Sequence, residues 1–270
     1  MNMQVDTLFE KGAGQLNEDF CLIDNNLFGV FDGATSLTER VYENGHTGGF
    51  LAARIASETF RQNNDSLVNL TQKANTAIAA AMAAREIDLD DKVELWSTSA
   101  AVVRLHHDFF EWVQIGDCLI MVIYQDGTHR ILTENFDQDF ETLQIWQKAS
   151  ATADNTILSA LKDQIATVRR RMNISYGALN GENALSSFIN SGTFDYQGIQ
   201  HILIFTDGLF VPKKDPGDRD DFDLFSRLFQ KGGLPHLKDI VRDIERSDVA
   251  CREYPRFKPH DDIAAISLSF

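Results

Sequence analysis

The chain has 270 residues, 43% of them hydrophobic and 24% charged, with a formal net charge of −15. That is enough sequence to bury a substantial core, and the acidic balance argues against nucleic acid or an anionic membrane surface as a partner. No apolar run is long enough to span a bilayer, and no apolar N-terminal segment follows a basic patch. The three cysteines, Cys21, Cys118 and Cys251, are scattered without a C-x-x-C pair. Reduced thiols in a cytoplasmic protein are therefore expected, not a disulfide frame or a zinc site.

Residues 3–9 are expected to form a short edge strand and residues 11–15 a loop. CLID and LFGVFD follow as two apolar runs separated by Asn25 and Asn26, the pattern of a β-hairpin. Asp19 enters its first strand and Asp32 leaves its second, so antiparallel pairing puts both carboxylates at one end. The stretch GHTGGFLAARIASETFRQ carries Phe50, Leu51, Ile55 and Phe60 at helical spacing. A second, alanine-rich helix is predicted from about Leu67 to Glu86, with Asp65 and Ser66 as cap candidates. Four strand-like runs follow, STSAAVVRL, FFEWVQI, CLIMVIY and THRILT. Their short turns predict an antiparallel meander. Residues 135–190 break the rhythm as a long, polar, helical insertion ending in a short helix at 182–189, and a flap beside a site is expected there. Residues 198–210 return to sheet, helices are predicted around 221–231 and 235–248, and DDIAAISLSF is the last strand. Two groups of strands, each beside a helical pair and joined by hairpin-type links, predict an α+β fold in one domain spanning 1–270. Two antiparallel sheets covered by helices on both sides are the economical assembly.

Five aspartates sit at strand edges: Asp19, Asp32, Asp117, Asp207 and Asp261. Asp32, Asp117 and Asp207 each have a glycine immediately beside them. Taken singly, each is an ordinary turn or cap residue. Taken together, clustered carboxylates repel one another and lose solvent, so a cation is needed to offset the cost. Hard oxygen donors without nearby His or Cys point to Mg²⁺ or Mn²⁺ and away from Zn²⁺. Two such ions about 3.5–4 Å apart share a bridging carboxylate and a water in known sites.

The ordered blocks NED, VFDGATS, STSAAVV, QIGDCLI, IFTDGLF and DDIAAI resemble the metal-dependent Ser/Thr protein phosphatases of type 2C, the PPM family, in its bacterial form. The resemblance runs from about residue 7 to 270. It implies a four-layer αββα sandwich and a phosphatase that hydrolyses phosphoserine or phosphothreonine in proteins through a hydroxide bridging two Mg²⁺ or Mn²⁺ ions. By position, it makes Asp32 the bridging ligand and the Gly33 carbonyl a ligand of one ion. Asp207 and Asp261 then hold the other. Glu18 and Asp19 join Asp32 as candidate catalytic residues that orient bound waters, with Asp19 also in the ligand set. Asp117 matches the residue that holds a third ion in many bacterial relatives. The 135–190 insertion contains the variable flap.

Several positions depart from the family pattern. The Arg that contacts substrate phosphate five residues before Asp19 is Gly14 here. Arg40, Lys11 and Arg104 are the nearest replacements in sequence terms, and no residue is assigned to substrate binding. Ala34, Thr35 and Ser36 replace the small residues that follow the Asp-Gly, no His follows it, and Asp262 stands where Asn is usual. A phosphatase for small phosphoesters and a catalytically silent binding module remain alternatives. His46, His106, His107 and His260 are expected to be surface or capping residues, and Trp96, Trp112 and Trp146 to be packing residues.

Overall fold

The computed structural model describes residues 3–38, 40–133, 137–149 and 156–270. Strands β1 (Gln4–Glu10), β2 (Phe20–Asp24) and β3 (Leu27–Gly33) come first. Helices α1 (Gly48–Arg61) and α2 (Leu67–Ala83) follow, then β4 (Thr98–Leu105), β5 (Phe109–Ile115), β6 (Leu119–Tyr124) and β7 (His129–Ile131). Three short helices, α3 (Phe140–Lys148), α4 (Ile157–Ala160) and α5 (Lys162–Arg169), precede β8 (Asn190–Asp195) and β9 (Ile199–Phe205). Helix α6 (Phe222–Ser247) and strand β10 (Ile263–Ser269) close the chain.

Two antiparallel five-stranded sheets result, ordered β2-β3-β4-β5-β8 and β1-β10-β9-β6-β7. The expected α+β architecture is present, and its layers follow from side-chain alternation. Along β3, Phe28 and Val30 face the second sheet, while Leu27 and Phe31 face helices α1 and α2. Along β6, Ile120 and Val122 fill the space between the sheets, and Leu119, Met121 and Ile123 pack towards α6. Central strands are thus buried on both faces. That is why they read in sequence as continuous apolar runs with no visible period. Ala52, Ala53 and Ala56 of α1 and Ala74 of α2 are fully buried, and their small side chains let the helix pair lie close on the first sheet. Thr47 caps α1 by accepting from Phe50 N at 3.2 Å, and Ser66 caps α2 by accepting from Asn69 N at 3.2 Å. No described helix is long and apolar enough to cross a membrane.

Two expectations are corrected. The four-strand meander does not form: β4 and β5 pair in one sheet, β6 and β7 in the other. The chain changes sheets at Gly116-Asp117. Gly116 has φ +74, and a Cβ there would sit 2.3 Å from Ser99 Oγ, so only glycine makes the crossing. Strand β8 was not expected, because its mostly exposed sequence NSGTFD carries little apolar signal, yet it pairs with β5 from Gln114↔Asn190 to Phe109↔Asp195. The segment after Asn180 forms a 3₁₀ helix at Asn183–Phe188. The two helices expected at 221–231 and 235–248 are present, joined as α6 across a non-helical break at Gly232 and Gly233, with Pro235 just beyond. Of the 135–190 insertion, residues 135–136 and 150–155 lie outside the described residues. The described part carries the expected helical segments as α3, α4, α5 and the 3₁₀ helix, with turns between Arg170 and Glu182.

Candidate active site

The strand-edge aspartates meet at one end of both sheets. The pair Phe20↔Phe31 brings Asp19 beside Asp32, and Gly33 N donates to Glu18 O at 3.2 Å. A Cβ on Gly33 would lie 2.5 Å from the Gly49 carbonyl, so the bare residue lets the start of α1 approach this turn. In the second sheet Ala265↔Phe205 pairs the start of β10 with the end of β9, which places Asp261 near Asp207. Asp117 comes from the crossover between sheets, where its carboxylate accepts from Ser99 Oγ at 2.5 Å and Gln138 Nε2 at 2.6 Å.

Hydrogen bonds tie the two edges together. Thr206 Oγ1 donates to Asp19 Oδ2 at 2.8 Å and accepts from Ala264 N at 3.0 Å. The buried Glu18 carboxylate accepts from Thr35 Oγ1 at 2.9 Å and from Thr47 Oγ1. Asp262, only 4% exposed, accepts from Gly12 N at 2.7 Å and Glu18 N at 2.8 Å. What looked from sequence like one more charge at the edge is a brace across the N-terminal loop. An Asn offers one carbonyl oxygen where this carboxylate uses both of its oxygens.

The charge balance is uneven. Burial, and then the surrounding acids, push Asp19, Asp32 and Asp207 well above the usual carboxylate range. The neighbouring Asp32, Asp117 and Asp261 carboxylates add to the rise at Asp207. Burial, with Asp117 and Asp137 adding to it, raises Asp139 to about 7. Among the described residues one ammonium enters this cluster: Lys258 Nζ lies 2.7 Å from Asp261 Oδ1. Burial opposes its charge, but Asp261, Glu18 and Asp32 outweigh that and hold Lys258 above the ordinary lysine range. Among the described residues, no three His, Cys, Asp or Glu side chains are grouped closely enough to hold a metal ion as they stand.

A cavity of about 160 Å³ opens on the cluster and includes Asp32, Gly33, Asp117, Asp207 and Asp261 in its wall. Arg169 and Lys258 also line it, and sequence reasoning missed both. Lys258 stands three residues before Asp261, a spacing that carried some signal. Arg169 lies in a polar helix with no motif around it. The three cations named from sequence lie elsewhere. Arg104 pairs with Leu27, at the far end of β3 from Asp32, and bonds Glu111, Asn63 and the Asp65 carbonyl. Arg40 donates to Arg85 O at 3.1 Å, Lys11 donates to Gln15 O at 3.4 Å, and neither lines the cavity. His260 is structural: its Nδ1 lies 3.0 Å from Glu245 Oε2 and its carbonyl accepts from Ala13 N at 2.8 Å.

Fold and site together define an α+β sandwich with a cluster of buried and half-buried carboxylates at the common end of two antiparallel sheets. The family model for protein phosphatase 2C matches residues 11–242, and the chain belongs to that family. No curated protein matches the sequence significantly. Solved structures share the fold at low identity. The serine/threonine phosphatase PstP/Ppp of Mycobacterium tuberculosis is 15% identical with a TM-score of 0.60, over 99% of this chain and 98% of that one. The PstP catalytic domain in complex with two manganese ions is 15% identical with a TM-score of 0.58, over 99% and 97%. Serine/threonine phosphatase Stp1 of Staphylococcus aureus is 13% identical with a TM-score of 0.59, over 100% and 96%.

Proposed function

We propose that this 2C-type phosphatase hydrolyses phosphomonoesters, with phosphoserine and phosphothreonine in proteins as its substrate class, and that it depends on Mg²⁺ or Mn²⁺. The observation that carries the reading is the convergence of buried Asp19 with half-buried Asp32 and Asp207, whose carboxyls burial and the surrounding acids push well above the usual range. The set consists of hard oxygen donors carrying more potential negative charge than the protein neutralises. The chemistry of these donors fits a divalent cation. In this reading Asp32 would serve both ions, the Gly33 carbonyl would contribute to one, and Asp207, Asp261 and Asp19 would complete the ligands, with Asp117 available to a third ion. Bound ions supply the charge that activates a water and stabilises the transferring phosphoryl oxygens.

The chain's own residues do the remainder. Thr206 keeps the Asp19 carboxylate aimed across the gap between sheets, 2.8 Å from its hydroxyl. Thr35 and Thr47 orient Glu18, and Asp262 fixes the Glu18 backbone. Glu18 and Asp19 are thereby held rigidly enough to orient water at the site. A cytoplasmic location belongs to the same proposal, supported by three unpaired thiols.

The test is hydrolysis of p-nitrophenyl phosphate with and without Mn²⁺. Activity that requires the ion and falls at least about 100-fold in Asp32→Ala and Asp207→Ala is the expected outcome. No wild-type hydrolysis at any divalent concentration overturns the enzyme reading and leaves the binding-module alternative. Activity surviving both substitutions overturns the site assignment. A strong preference for small phosphoesters over phosphopeptides overturns the substrate class.

A further inference from the structure

The N-terminal loop presents Gly14 where relatives carry a phosphate-binding guanidinium, and a phosphomonoester dianion entering this cavity meets a wall dominated by carboxylates. Bound divalent ions would offset part of that repulsion, and a protein cation with free N–H donors would offset more of it and orient the phosphate. Two side-chain cations line the cavity, Lys258 and Arg169. Lys258 is engaged with Asp261 at 2.7 Å. Arg169 is not so engaged. Its Nη2 donates to Thr35 O, and among the described residues it forms no ion pair. A guanidinium has five N–H donors in a planar fork, so most of its hydrogen-bonding capacity is unspent. The side chain is partly exposed, and the open face is the cavity.

Its position is built by packing. Arg169 is the last residue of α5, and Ile165 and Ala166, one turn earlier, pack on Leu37, with Phe257 against the same cluster. Leu37 ends the DGATSL turn that carries Asp32. Apolar contact therefore ties the insertion to the turn holding the candidate bridging aspartate. It sets the guanidinium beside Thr35, whose hydroxyl holds Glu18 at 2.9 Å. Burial works against the Arg169 charge, with Asp139 and Glu18 opposing that effect. A dianionic phosphate would add a stronger partner in bidentate geometry.

We propose that Arg169, supplied by the 135–190 insertion, is the substrate-phosphate residue of this enzyme, replacing the guanidinium absent at Gly14. The inference rests on the phosphatase reading above. It converts the insertion from a cover into part of the binding site, and it makes the phosphate fork depend on a segment far from the N-terminal loop.

The experiment uses the full chain at saturating Mn²⁺. It measures kcat and KM for p-nitrophenyl phosphate, the inhibition constant of inorganic phosphate, and the Mn²⁺-induced rise in melting temperature, for wild type, Arg169→Lys and Arg169→Ala. Arg169→Ala is expected to raise KM and the phosphate inhibition constant about 10-fold or more, with the Mn²⁺-induced shift retained. Arg169→Lys is expected to fall between, since a point charge keeps attraction and loses the fork. Unchanged KM and phosphate inhibition in both variants overturn the proposal. So does a loss confined to kcat and the Mn²⁺ shift, which would mean Arg169 acts only by positioning Thr35. If the Ala variant fails to fold, Arg169→Lys decides alone: wild-type phosphate inhibition refutes the assignment. A wild-type protein with neither Mn²⁺-dependent hydrolysis nor a Mn²⁺-induced shift refutes the phosphatase reading itself, and this inference falls with it.

Discussion

Replacing Lys258 with Met removes the ammonium seated among the acids while keeping most of the side chain's length. The Lys258–Asp261 pair is 2.7 Å long, with side chains 17% and 35% exposed. Breaking a fully buried pair costs about 3–5 kcal/mol, and an exposed pair is worth about 0–1 kcal/mol. The partial exposure of Asp261 puts this pair between those limits, at about 2 kcal/mol. In a domain of this size that is a fall of roughly 4–8 °C in melting temperature for the metal-free protein. A bound divalent ion would replace the lost positive charge, so the deficit should shrink or vanish at saturating Mn²⁺. Lys258→Met should also bind Mn²⁺ more tightly, because no tethered cation then competes for Asp261. Thermal melts in EDTA and in Mn²⁺, with calorimetric Mn²⁺ titration, give the answer. An unchanged metal-free melting temperature, or a deficit that persists in full with Mn²⁺, refutes the reasoning.

Metal-free stability should decline with rising pH. Asp19, Asp32 and Asp207 have folded values above their unfolded ones, and Asp139 rises to about 7, so the folded state binds the extra protons. Stability is then fully present below the unfolded carboxyl range of about 4 and is lost as pH climbs through the raised values. Melts in EDTA at pH 5 and pH 8 should show the lower melting temperature at pH 8, and the opposite order would contradict the buried, uncompensated cluster. Asp262→Ala should cost about 1–3 kcal/mol for each N–H left unpaired at Gly12 and Glu18, with Asp262→Asn losing less; denaturant midpoints measure both, and equal stability of all three proteins would refute the brace. Gly116→Ala should cost at least ~1–2 kcal/mol from its left-handed backbone alone. It should also displace Ser99, which holds Asp117, and an unaltered denaturation midpoint would show that the crossing tolerates a side chain.

Much of the site was legible in the chain because it is written in short blocks at strand ends. Asp19 and Asp32 could be paired from the Asn25-Asn26 hairpin alone, since antiparallel register is local and a two-residue turn sets it. The sandwich was legible from two groups of strands, each beside a helical pair and joined by hairpin-type links. The crossing at Gly116-Asp117 was not, because a glycine turn between two strands reads the same whether it makes a hairpin or changes sheets. The role of Asp262 was hidden for a similar reason: its partners, Gly12 and Glu18, lie some 250 and 244 residues away in the chain.

The sequence by itself determined the apolar runs that bury the central strands, the helices beside them, and the acids at the strand edges. Those are properties of neighbouring residues and of period. Only the tertiary structure decided which cations face the acids. Arg104, Arg40 and Lys11 were equal candidates on paper, and packing turned each one elsewhere. Arg169 and Lys258 reach the cavity because α5 packs on Leu37 and because the approach to β10 runs past Asp207. Electrostatic partnership depends on distance through space, and a polar helix without a motif carries no record in sequence of the side chains it will face.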